Sequence, residues 1–200
     1  MSESTTPAVP FDPPVRHPIH LEVTDDLERN RLTVFFRLIL VIPHVIWLTL
    51  WAIAAYLALL VAWVVGIVMG RVPDVLHDFL AAFLRYQTHV YAYASLAADP
   101  FPAFTGDAPY PIDLEIAPAA SQNRLTILFR LLLAIPALIV LYVLQLVAEV
   151  VSLLSWFYAL VTGNMNRGMR DLLAYWLRYQ AQTGGYILLL TSRYPSFSDD

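Results

Sequence analysis

The sequence contains no cysteine and no lysine. Without cysteine there are no disulfides, no thiol nucleophiles and no cysteine-ligated metal sites. Without lysine all 12 basic residues are arginine, a usage we read as the codon bias of a GC-rich bacterial genome. Charge is scarce altogether: 14% of residues are charged, against about 25% in an ordinary soluble domain. The formal net charge of −4 excludes a strongly basic nucleic-acid surface, because phosphate binding needs clustered positive charge. Glycine-rich phosphate loops, a Gly-x-Ser-x-Gly elbow, a His-x-x-x-His pair and paired carboxylates are all missing. No catalytic, cofactor or metal constellation is therefore expected, and the expectation is a non-enzyme. Met1 to Arg16 has neither the basic start nor the short apolar stretch of a secretory signal, so the first apolar run is expected to be a retained anchor.

What the chain has in excess is apolar surface. Hydrophobic residues make up 58% of it, and the mean hydropathy is +0.60. The excess is concentrated in two runs. Leu32 to Met69 is broken only by Arg37, His44 and a few threonines, and the strongly polar positions of Leu125 to Thr162 are Arg130, Gln145 and Glu149. Runs of roughly 18 or more apolar residues are read as membrane-spanning, since lipid offers no water to polar groups.

The two runs belong to an internal repeat. Displacing the sequence by 93 positions lays Pro18-Ile19-His20-Leu21-Glu22-Val23 over Pro111-Ile112-Asp113-Leu114-Glu115-Ile116 without a gap. The same shift matches Asn30-Arg31-Leu32-Thr33 with Asn123-Arg124-Leu125-Thr126, Trp63 with Trp156, and Gly70 with Gly163. It also matches Leu84-Arg85-Tyr86-Gln87 with Leu177-Arg178-Tyr179-Gln180. Duplication accounts for this.

The fold class expected is an all-α integral membrane protein of two tandem pseudo-repeats. The divisions are a disordered tail at 1–17, a first repeat at 18–104, a linker at 105–110, a second repeat at 111–197 and a tail at 198–200. Each repeat reads as four pieces. A short strand-like piece comes first, its apolar residues alternating with polar ones. A helix from Arg31 (or Arg124) follows, expected to end just before Pro43 (or Pro136), because proline disfavours helical geometry in the residue before it. Then comes a long transmembrane helix, Val45 to Met69 or Leu138 to Thr162, closed by Gly70 or Gly163 as C-cap. A hairpin turning back inside the membrane is the alternative. Last is an amphipathic helix: Asp74, Asp78, Arg85 and His89 mark a polar stripe opposite Leu76, Phe79, Leu80, Phe83 and Leu84. It suits either the headgroup layer or the interior of its own bundle.

The run NRLTILFRLLLAIPALIVL, followed by WFYALVTG, RDLLAYWLRY and SRYPSF, resembles a bacterial membrane family known only as a domain of unknown function, DUF4389. The resemblance covers both repeats, with Ala137 standing where the pattern prefers the histidine kept at His44. It implies a membrane location and this fold, and no chemistry.

Four groups of residues stand out. Glu149 lies mid-run with Gln145, Ser152 and Trp156 at helical spacing, and marks either a functional cavity or a helix contact in which the acid is protonated or hydrogen-bonded. Arg37 and Arg130 are expected to snorkel to the headgroups, or with Arg31 and Arg124 to bind lipid phosphate. Asp78 with Arg85 and Asp171 with Arg178 are seven apart, too far to bond along one helix. They are expected to pair with Arg37 or Arg130, or across the repeats. His44, His77 and His89 lack metal-ligand spacing. The function expected is a module of the bacterial cytoplasmic membrane that organises lipid headgroups or a partner membrane protein. The alternative is a small transporter or channel with Glu149 in its pathway. Expected partners are membrane lipids, another membrane protein or a second copy of the chain, with no nucleic acid.

Overall fold

A computed structural model describes residues 16–106 and 109–198. In chain order the elements are β1 (Ile19–Val23), α1 (Arg31–Met69), α2 (Asp74–Ala94), β2 (Ile112–Ile116), α3 (Arg124–Leu128), α4 (Arg130–Thr162) and α5 (Arg167–Ile187). The protein is thus mostly helical and built of two tandem repeats, with one small sheet. Of the tail expected to be disordered, residues 1–15 lie outside the described residues, whereas His17 is buried beside β1. The last two residues of the 198–200 tail also lie outside them.

Capping follows the sequence. The side chains of Asn30 and Asn123 accept from the backbone N–H of Leu32 and Leu125, each at 2.9 Å, and so open the two long helical runs. Gly70 (φ 72°) and Gly163 (φ 75°) close α1 and α4 in the left-handed region, where a side chain would be strained. The prolines do not act as expected. Pro43 lies inside an unbroken 39-residue α1 and Pro136 inside a 33-residue α4. The only interruption comes at Phe129, between α3 and α4, seven residues before Pro136. A proline forfeits one helix hydrogen bond. In α1 that loss is spanned by side chains on both sides of it, since Arg37 and His44 are each fixed to α2 or its C-terminal turn.

The repeats are joined by exchange. β1 and β2 pair antiparallel with Leu21 opposite Leu114, its own repeat equivalent. A pseudo-two-fold axis therefore passes through that pair. Bonds that join the repeats come in pairs around it. Thr24 N–H donates to Pro111 and Ala117 N–H to Pro18. Arg29 N–H donates to Gly163 and Gln122 N–H to Gly70. Glu28 forms a bridge with Asn164, and Arg71 with Ser121. The Trp63 indole donates to the carbonyl of Ile127 (3.0 Å), and Trp156 donates to Val34 (2.9 Å). Each long helix consequently starts beside the end of the other.

The middle of the molecule is α2 packed on α5. The sheet covers one side of this pair, its inward residues Ile19, Leu21, Ile112 and Leu114 all buried. The amphipathic helices expected either in the headgroup layer or inside the bundle are inside it: Leu80, Leu84, Leu173 and Leu177 have no exposure. α1 and α4 flank the pair and bury one stripe each, marked by Val34, Ala55, Ala62 and Gly66, and by Ile127, Ala148, Ser155 and Ala159. The rest of both helices is exposed and apolar, including Leu38, Ile46, Leu57 and Val68 on α1 and Leu131, Ile139, Val150 and Val161 on α4. Only 17% of the most apolar window of each is buried. α1 and α4 are thus two helices long and apolar enough to cross a membrane.

Candidate functional site

Arg37 and Arg130 were expected at the headgroups, and both are 1% exposed. Arg37 donates to the carbonyls of Tyr93 (2.8 Å) and Ala98 (2.9 Å) and pairs with Asp99 at 2.5 Å. Its guanidinium also stacks 4.3 Å over the Tyr93 ring. Arg130 repeats the arrangement, donating to Thr191 (3.0 Å) and Gln122 and lying 4.2 Å over Tyr186. They satisfy carbonyls left over where α2 and α5 end, which corrects the lipid-binding expectation for these two. Arg31 and Arg124 remain exposed. Each lies against the glycine cap of the other repeat's long helix, where a cation complements the helix dipole.

The acids of the polar stripes do not pair with Arg37 or Arg130. Asp78 is exposed beside His77, and Asp171 is exposed and pairs with Arg170 at 2.7 Å. Arg85 crosses the repeats, its Nε lying 3.5 Å from Asp113 and 3.3 Å from the Leu114 carbonyl. His89 meets the same carboxylate at 2.9 Å. Burial pushes the Asp113 pKa up, but His89, the Leu114 N–H and Arg85 outweigh it and hold the group below its ordinary value. The repeat equivalent of Asp113 is His20. Arg178 donates to the Phe197 carbonyl (3.0 Å) and lies over Tyr175. His44, fully buried, sits 2.8 Å from the Tyr86 hydroxyl, stacks on Phe104 and meets Phe101 at a tilt. Ala137 has no such contact to offer.

Arg29 was not singled out from sequence, yet it is buried and all three of its guanidinium nitrogens are hydrogen-bonded. It pairs with Asp25 at 2.7 Å and donates to the carbonyls of Leu96 and Ala97. Its repeat equivalent Gln122 makes the matching bond to Leu189 at 2.7 Å. The only sequence signal would have been the shared place of the two residues before the Asn caps.

Glu149 lines a cleft of about 450 Å³ between α4, the C-terminal end of α2, and α5. Gln145 donates to its carboxylate at 3.1 Å, Ser152 lines the cleft from the same helix, and Ser95 lines it from the end of α2. Trp156, expected on this face, is engaged instead with Val34. Tyr91 and Trp176 supply the aromatic floor, stacked 6.1 Å apart, and the buried Trp176 indole N–H has no partner. These two come from other helices, so no pattern within α4 announces them. In the first repeat Tyr56 stands where Glu149 does, so the acid of this cleft has no counterpart there.

The cleft opens on the side away from the sheet. On α5, Ala174 and Arg178 face Leu21 and Val23, whereas Trp176 is two residues from each, about 200° round the helix. Among the described residues no group of three His, Cys, Asp or Glu could hold a metal.

The model of a domain of unknown function, DUF4389, matches residues 31–106 and again 124–199. The chain belongs to the DUF4389 family. The two matches are the two tandem copies, each covering one α1–α2 or α3–α5 unit of the fold. No curated protein and no solved structure matches the chain.

Proposed function

We propose that this DUF4389 protein is a non-enzymatic module of the bacterial cytoplasmic membrane that organises lipid headgroups or a partner membrane protein. One observation carries the reading. The exposed residues of α1 from Leu32 to Met69 include no charge, and those of α4 include only Glu149, while the other described charges that reach the surface sit on the strands, loops, helix ends and α2 and α5. Contiguous apolar surface beyond a few hundred Å² marks a membrane or protein contact, since water would otherwise have to cover it. Arg31 and Arg124, exposed at opposite ends of the long helices, are the arginines we assign to lipid phosphate.

Flotation with vesicles tests this. The chain should float with phosphatidylethanolamine–phosphatidylglycerol vesicles, and Arg31→Gln with Arg124→Gln should lower the anionic-lipid preference by about 1 kcal/mol per arginine. A chain that stays at the bottom of the gradient without lipid removes the reading. The cleft at Glu149 favours transport as a second reading, for which Glu149→Gln should abolish a proton or ion flux in loaded vesicles. Under the first reading the variant behaves as the parent does.

A further inference from the structure

The small sheet limits how the long helices sit in lipid. Ser121, which bridges to Arg71 at the end of α1, is five residues beyond the end of β2. Glu28, which bridges to Asn164 at the end of α4, is five residues beyond the end of β1 and three before the start of α1. Five residues reach at most about 18 Å. Both ends of α1, and equally both ends of α4, are therefore tied by short tethers to one sheet, which sits near the midpoint of the helices.

A 39-residue helix is about 58 Å long. Standing across a membrane, it would carry the sheet to the middle of the roughly 30 Å hydrocarbon layer. The sheet is unfit for that place. The residues alternating with its buried ones are His20, Glu22, Asp113 and Glu115, all polar, and Glu22 and Glu115 are exposed. It has only two strands, so both are edges, and open sheet edges do not occur in lipid because their N–H and carbonyl groups have no water.

Resting on the proposed membrane reading, we infer that the DUF4389 pair is monotopic. α1 and α4 lie side by side in the plane of one leaflet, with the pseudo-two-fold axis along the membrane normal. The sheet, α2 and α5 face water and headgroups. The occupant of the apolar face is a single lipid leaflet. Half the hydrocarbon layer is about 15 Å deep and a helix with its side chains about 10–12 Å thick, so one layer of helices fits. Trp47, bonded to the Phe104 carbonyl at 2.9 Å, and the exposed Phe101 and Phe104 sit where the loop after α2 meets α1, as interfacial aromatics do. The repeats then face the same side, unlike the inverted repeats of transporters.

The absence of native cysteine permits a direct test in the full chain. Glu22→Cys on the sheet, Asp26→Cys near the start of α1 and Asp74→Cys near its end are all exposed positions. Each variant is expressed singly, and cells are treated with a membrane-impermeant maleimide intact and after permeabilisation; membranes are then washed with alkaline carbonate. The expected result is retention in the washed membrane with the three positions behaving alike, all reactive in intact cells or all only after permeabilisation. Opposite sidedness of Asp26→Cys and Asp74→Cys, or a Glu22→Cys that stays unreactive while the others label, overturns the in-plane arrangement but leaves the membrane module standing. Release by carbonate, as a soluble chain or with a second copy over the apolar face, overturns both.

Discussion

Arginine in this protein is mostly a structural residue. Arg37 takes the carbonyls of Tyr93 and Ala98 at the C-terminal end of α2 and Arg130 that of Thr191 beyond α5, and their flat guanidinium suits stacking on tyrosine at the same time. Removing one leaves those carbonyls buried and unpaired. Arg37→Leu should cost about 3–5 kcal/mol in stability, read from thermal unfolding in detergent, because Asp99 loses its cation as well. Glu149→Gln, at an exposed position, should change stability by no more than about 0.5 kcal/mol. Asp113 predicts a pH effect. Its pKa is lower in the fold than the ordinary 3.8, so its contribution is complete above that value and is lost as pH falls through the folded pKa. Asp113→Asn should remove that acid-dependent loss and cost about 1–3 kcal/mol at neutral pH, where the parent carboxylate is charged and bonded to His89.

At the scale of elements the repeats hold each other by reciprocal bonds rather than by separate cores. Trp63 and Trp156 each cap a carbonyl early in the other repeat's long helical run. Trp63→Phe and Trp156→Phe should therefore destabilise by similar amounts, about 1 kcal/mol each for the lost bond, and add in the double variant because the sites lie at opposite ends of the helices. Strongly unequal effects would mean the exchange is not symmetric in energy. Some of this was readable beforehand. The glycine C-caps and the period-two strand pieces follow from the chemistry of residues within a few positions. The behaviour of Pro43 was not, since what holds α1 together across it is Arg37 and His44 reaching residues more than forty positions away. Leu96 and Leu189, which take positive φ where glycine would be easier, were equally hidden: they follow α2 and α5, are buried, and give their carbonyls to Arg29 and Gln122.

For the whole molecule, the register of the sheet makes a further prediction. Leu21 faces its own equivalent, Leu114, so one repeat presents the strand that another copy of itself would accept. A fragment carrying residues 111–198 alone should pair with itself through β2 and run as a dimer by light scattering in detergent. A stable monomer would show that the two repeats have diverged beyond exchange. The sequence by itself determined that the chain has two apolar helical runs, that it is a duplicated unit, and that it offers no cysteine or clustered basic surface, because these are read from residue order and residue type without knowing which segments touch. The tertiary structure alone decided that Arg37 and Arg130 are interior, that Glu149 looks into a cleft floored by Tyr91 and Trp176, and that both ends of each long helix are tethered to one polar sheet. Those depend on which segments meet across the pseudo-two-fold axis, and a pairing between residues 93 positions apart leaves no local trace in hydrophobic pattern.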